Sequence, residues 1–149
     1  MTRIGQAVML HRGGDREEAR LRLFALWAEL GADAGPLHRC TLAHFLADTQ
    51  EDAEDRLAWD LRALQAADSA ARDAVPEGPE DRAVRAFYPS LHLSLAADHI
   101  RLRRPERARR ELDRARERAA ALTDDAYGRA VHAAIARLDG SLSGAPERP

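Results

Sequence analysis

The residues best suited to chemistry lie close together on one stretch of the chain, which contains His38, Cys40, His44 and Asp48. Cys40, His44 and Asp48 are four residues apart, so they share one face if the stretch is a helix. Helices present metal ligands, and acid and base groups, at this spacing. With His92 from a later stretch, these side chains define a candidate pocket for a metal ion or a small ligand.

A structural role for the same residues is the interpretation that we favour. Histidine often serves as a half-buried polar member of a helix interface, and a free cysteine behaves as a small core hydrophobe. The sequence has no His-Glu-x-x-His zinc signature, phosphate-binding loop, Gly-x-Ser-x-Gly motif or dinucleotide fingerprint. We therefore expect a protein that is not an enzyme and binds no cofactor.

The composition is typical of one globular, helical domain. Of the 149 residues, 45% are hydrophobic, 32% are charged and only 5% are aromatic, with many Ala, Leu, Arg and Glu. The net charge of −2 results from 25 acidic and 23 basic residues, and every basic residue is Arg. No chain-wide field therefore exists to attract nucleic acid or an anionic membrane.

Cysteine content and hydropathy point to a cytoplasmic protein. Cys40 is the one cysteine, which excludes a disulfide within the chain and fits a reducing compartment. The first residues lack an apolar signal core, and no apolar run of about 18 residues occurs. We expect no membrane partner.

Apolar residues recur at helical spacing, so the fold class is all-α. Glycine, proline and aspartate clusters divide the chain into seven predicted helices, near residues 2–12, 15–31, 36–48, 52–73, 80–103, 105–122 and 125–140. Pro105 suits a first helical turn, whereas Pro89 should kink the fifth helix or start a new one after Tyr88. We expect one domain over residues 1–140 and a flexible tail over 141–149.

The apolar pattern of the second predicted helix recurs twice further along the chain. One shift places four of its residues, Ala19, Leu23, Trp27 and Leu30, on Ala53, Leu57, Leu61 and Leu64. A further and longer shift places Ala53 and Leu57 on Ala108 and Leu112. The first offset equals the period of the tetratricopeptide repeat, which is about 34 residues.

On these residues the chain resembles the tetratricopeptide repeat family, and around residues 36–44 and 87–93 it resembles uncharacterised actinobacterial proteins of this class. The resemblance implies a right-handed α-solenoid of antiparallel helix hairpins, about three of them, followed by a capping helix. It also implies that the first helices of the hairpins line a concave face that binds a peptide or protein. The family's best-known mode grips a C-terminal carboxylate with Lys and Asn side chains, which this sequence lacks, so that only Arg12 and Arg101 could replace them.

In that register the concave face is an apolar strip with basic edges. Its predicted partner-binding residues are His11, Arg12, His38, Leu42, Phe45, Ser90, Leu93 and Arg101. Trp27 belongs to the core by its periodicity, whereas Trp59 is a candidate half-exposed anchor and Phe87 and Tyr88 a candidate exposed pair. We predict a scaffold for an unknown peptide or protein.

Two alternatives stay open, the metal or ligand pocket and a structural homodimer with no separate ligand. Acidic residues prevail over 48–60 and arginines over 101–118, so these two surfaces of opposite sign are candidates to meet between subunits. No aromatic residue lies among the arginines to stack on a base, so we do not expect nucleic-acid binding.

Overall fold

A computed structural model describes residues 2–30 and 35–144, except for the side chain of Thr2. Over these residues the chain forms seven α-helices and no strand, which confirms the all-α prediction. The helices are α1 (Thr2–Arg12), α2 (Arg16–Leu30), α3 (Pro36–Thr49), α4 (Ala53–Asp73), α5 (Pro79–Arg101), α6 (Pro105–Ala119) and α7 (Ala126–Gly144). No described helix is long and apolar enough to cross a membrane.

The helix starts follow from proline and aspartate. Pro36, Pro79 and Pro105 each occupy the first turn of a helix, where no intrahelical partner exists for the missing N–H. The prediction for Pro105 is thereby confirmed. Asp52 caps α4, because its carboxylate accepts a hydrogen bond from the backbone N–H of Asp55 at 3.2 Å.

Pro89 lies inside α5, which runs unbroken from Pro79 to Arg101. A new helix starting after Tyr88 is therefore wrong. Proline has no N–H to donate to the carbonyl of Arg85, so α5 loses one hydrogen bond of its ladder. The ring of Pro89 is fully buried. Its packing in the core stabilises α5 and offsets the lost hydrogen bond.

The C-terminal helix is longer than predicted. α7 continues to Gly144, so residues 141–144 belong to a helix and not to the expected tail. The rest of that predicted tail, residues 145–149, lies outside the described residues. So does most of the predicted turn between α2 and α3.

Each helix packs against the next one in the chain, as expected for helices joined by short connections. The odd-numbered helices also touch one another in the order α1, α3, α5 and α7. Over the described ranges, the backbones of α2 and α4, and of α4 and α6, do not approach as closely, although the rings of Phe24 and Trp27 on α2 meet that of Trp59 on α4.

The core is continuous over α1 to α5, and a second apolar cluster lies between α5, α6 and α7. Trp59 is 7% exposed, and its ring meets those of Trp27 and Phe24 edge-on at 5.0 and 5.5 Å. Tyr88 is buried and Phe87 partly so. The predicted exposure of these last two residues, and of Trp59, is wrong because all three pack between helices.

Candidate functional site

The predicted metal ligands do not share a pocket. Cys40 is fully buried, and burial, aided by the negative charge of Asp68, raises the pKa of its thiol to about 12. The thiol is therefore protonated at neutral pH and is a poor metal ligand. In the part of the chain that the structure describes, no group of three His, Cys, Asp or Glu side chains is arranged to hold a metal ion.

The histidines have separate partners. His44 lies with Nδ1 3.7 Å from Oδ1 of Asp60, and its ring meets that of Phe87 edge-on at 5.4 Å. His92, on α5, has its Nδ1 2.8 Å from a carboxylate oxygen of Glu111 on α6. His38 is half-buried and makes no hydrogen bond or ion pair with a described residue. The candidate pocket of the sequence is thus divided among different helix interfaces.

Two buried carboxyl groups that sequence reasoning missed lie where α3, α4 and α5 meet. Asp60 of α4 is 3% exposed and Asp98 of α5 is 1% exposed. Burial is the main reason that the pKa of Asp60 rises to about 6 and that of Asp98 to about 9. The ionised form of Asp60 adds to the shift of Asp98.

Arginines partly balance these carboxyl groups. Arg56 lies between Asp98 and Asp48, with Nε 3.8 Å from Oδ1 of Asp98 and Nη2 3.7 Å from Oδ1 of Asp48. Arg101 approaches the same oxygen of Asp98 to 3.5 Å. Four atoms of this cluster are buried without a hydrogen-bond partner among the described residues: His44 Nδ1, Arg56 Nε, Asp60 Oδ1 and Asp98 Oδ2. The junction of α3, α4 and α5 thus concentrates buried polar and charged atoms.

The burial of this cluster could have been predicted from the spacing of its aspartates relative to nearby leucines. Asp60 follows Leu57 by three residues and precedes Leu64 by four, and Asp98 follows Leu95 by three. A charged residue at a core position of an apolar stripe is a candidate for burial. Asp60 escapes notice because it also ends the acidic stretch of the sequence.

Three predicted partner-binding residues share a small cleft between α1 and α3. The cleft has a volume of about 70 Å³ and is lined by Val8, His11, Arg12, Leu23, Phe45, Asp48 and Thr49. Nδ1 of His11 is buried there without a hydrogen-bond partner in the described part of the chain. Asp48 belongs both to this cleft and to the buried polar cluster, because it also contacts Arg56. The two features are therefore adjacent.

Three other predicted partner-binding residues contact neighbouring helices of the same chain. Leu42 is 1% exposed and belongs to the core. Leu93 packs against the apolar cluster between α5, α6 and α7. Ser90 is hydrogen-bonded to Tyr127 of α7 at 2.7 Å. Neighbouring helices cover Leu42, which therefore cannot face a partner, whereas Leu93 and Ser90 are partly exposed. Arg101 is half-exposed beside Asp98.

Two residues of the acidic region pair with arginines of the same chain. Glu54 pairs with Arg104 at 3.0 Å, which links the start of α4 to the start of α6. Glu51 pairs with Arg16 of α2. A contact of the acidic and basic surfaces between subunits stays a prediction.

Compared with protein-family models, with curated proteins and with solved structures, the chain matches none. Any functional conclusion must therefore come from the geometry of the described residues.

Proposed function

We propose that the chain is a helical-repeat module that binds a peptide segment of a partner protein at the cleft between α1 and α3. One observation carries the proposal: the cleft is lined by residues of the first helices of two successive hairpins. His11 and Arg12 belong to α1, and Phe45 and Asp48 belong to α3. Residues distant in sequence thereby form one concave feature, the usual form of a binding site.

The helix contacts support a tetratricopeptide-like arrangement. The backbones of the odd-numbered helices approach one another in series, as expected when first helices line the inner side of a curved stack. The proposed hairpins are α1 with α2, α3 with α4 and α5 with α6, and α7 is the capping helix. The constant offset that relates Ala19 and Leu23 of α2 to Ala53 and Leu57 of α4 fits the same arrangement. A right-handed solenoid is the form that we propose.

The cleft's size and chemistry define its ligand. A cleft volume of about 70 Å³ is small, which suits a single apolar side chain of a peptide. Val8, Leu23 and Phe45 supply apolar walls, and His11 and Arg12 supply donors. The partner is thus expected to present an aliphatic side chain next to a carboxylate.

The test selects peptides from a random library on the immobilised protein and measures their affinity for three forms of it. Arg12→Glu should weaken binding at least tenfold, since it reverses a charge that lines the cleft, about 1.4 kcal/mol or more. Arg137→Glu, the same change on the exposed side of α7, should leave affinity unchanged. If no peptide is enriched, or if both variants bind as wild type does, the cleft is not the binding site.

A homodimer is the alternative that a specific observation favours. Met9 is 73% exposed and, with Leu10, lines a depression of about 560 Å³ beside α2. A second copy would cover this surface. The mass of the protein measured by light scattering at micromolar concentration tests it: a dimer that Met9→Glu converts to a monomer supports this alternative, and a monomeric wild type excludes it.

A further inference from the structure

We propose that a cavity between α2, α3 and α4 binds a small phosphate monoester, whose phosphate group Arg39 and Arg62 hold and whose organic group packs against Trp27. No residue lines both this cavity and the cleft between α1 and α3. The inference therefore does not depend on the proposed peptide binding, and it assigns a second binding site to the stack.

The cavity has the size of a small-molecule site. Its volume is about 350 Å³, within the usual range of about 300–1,000 Å³ for such sites. Residues of three successive helices line it: Trp27 of α2, Arg39 of α3, and Arg62, Gln65, Ala66 and Ser69 of α4. No acidic side chain of the described ranges is among them. The cavity therefore offers positive charge and hydrogen-bond donors, which suit an anion.

Both arginines lack a carboxylate partner among the described residues. Arg39 is half-buried, and its Nε is buried without a hydrogen-bond partner in the described part of the chain. The guanidinium carbon of Arg62 lies 4.4 Å from the centroid of the Trp59 ring, a cation–π contact that restricts its position. An oxyanion bound in the cavity would supply an acceptor for Arg39 and a counter-charge for both arginines.

The charges favour a phosphate over a carboxylate. The two arginines carry one positive charge each, and a phosphate monoester carries about −1.5 to −2 at pH 7. A carboxylate would offset only one of the arginines. Planar guanidinium groups also bind phosphate oxygens through paired hydrogen bonds. Ser69 adds a donor, because its Oγ accepts a hydrogen bond from Nη2 of Arg72 at 3.1 Å and keeps its own proton to donate.

The remaining volume points to an organic group on the phosphate. A free phosphate ion would fill only a small part of the cavity of about 350 Å³. Trp27 is half-buried, and its ring meets that of Trp59 edge-on at 5.0 Å, which holds it in place beside the cavity. An aromatic or aliphatic group next to the phosphate would cover this ring. The expected ligand is thus the phosphate ester of a small apolar alcohol or phenol.

Isothermal titration calorimetry of the full chain in phosphate-free buffer tests the proposal with phenyl phosphate, inorganic phosphate and benzoate as probes. We expect phenyl phosphate to bind with a dissociation constant below about 1 mM, and the other two probes to bind at least about tenfold more weakly. Arg39→Gln and Arg62→Gln should each weaken phenyl phosphate binding at least about tenfold, because each removes a charge-assisted hydrogen bond. Arg137→Gln, the same change at an exposed position of α7, should bind as wild type does.

The absence of saturable phenyl phosphate binding in the millimolar range would overturn the proposal, as would equal weakening by Arg137→Gln. Equal affinity for inorganic phosphate would refute the contact with Trp27, and equal affinity for benzoate would refute the preference for a phosphate. If Arg39→Gln does not fold, NMR of the wild type decides instead. The indole N–H resonance of Trp27 should shift as phenyl phosphate saturates the protein, and an unchanged resonance would overturn the assigned site.

Discussion

Burial determines the chemistry of individual residues in this chain, and Cys40 shows it most simply. The side chain is fully buried, and the pKa of its thiol is raised to about 12. A buried thiol that stays protonated neither attacks a disulfide reagent nor binds a metal. The spacing of Cys40, His44 and Asp48 is typical of metal ligands on a helix. Here it shows only that the three residues lie on the same helix.

We predict that Cys40 of the native protein reacts with a coloured aromatic disulfide at pH 8 at least about a hundredfold more slowly than in urea, since the thiolate is the reactive form. The rate of absorbance change measures it, and the urea-unfolded chain is the control. Native reactivity equal to that of the unfolded chain would show that α3 opens readily.

Leu42 shows how the repeat register misplaces single residues. The register puts it on a concave surface, but it is 1% exposed, whereas Leu21 on α2 is 52% exposed. Leu42→Ala should lower the free energy of unfolding by about 2–5 kcal/mol, the usual effect of emptying a core site. Leu21→Ala is the matched exposed control, with an effect within about 0.5 kcal/mol. Similar effects of both substitutions on urea unfolding would contradict the described burial.

The helices themselves were largely predictable, because local residues determine where they start and stop. Prolines at the first turns of α3, α5 and α6 and the aspartate before α4 mark four of these starts. What the sequence did not reveal depends on contacts between helices. The continuation of α5 through Pro89 and the burial of Asp60 with Asp98 depend on neighbours distant in sequence.

The cap at the start of α4 leads to a prediction about helix stability. Asp52→Ala removes the acceptor for the N–H of Asp55 and should reduce stability by about 0.5–2 kcal/mol. Asp52→Asn should retain nearly all of the stability, because asparagine caps helices as well as aspartate does. Thermal unfolding followed by circular dichroism distinguishes the two. If Asp52→Asn loses as much as Asp52→Ala, the charge at the helix start matters more than the hydrogen bond.

At the scale of the whole molecule, the helices contact mainly their neighbours in the chain, a pattern that fits the proposed repeat arrangement. In a stacked repeat protein, stability is therefore local, and damage at one end should not spread to the other. Tyr127 tests this property. Its hydroxyl donates a hydrogen bond to the carbonyl of Ala86 at 2.7 Å and bonds to Ser90 at 2.7 Å, which joins α7 to α5.

Tyr127→Phe removes these bonds and keeps the ring, so it should cost about 1–3 kcal/mol at the junction of α5 and α7. We expect amide hydrogen exchange to accelerate in α7, while the amides of α1 to α4 exchange as in the wild type. Leu21→Ala on α2 is the control for a change at the other end. An equal acceleration in all seven helices would show that the chain opens only as a single cooperative unit, which would count against the proposed repeat architecture.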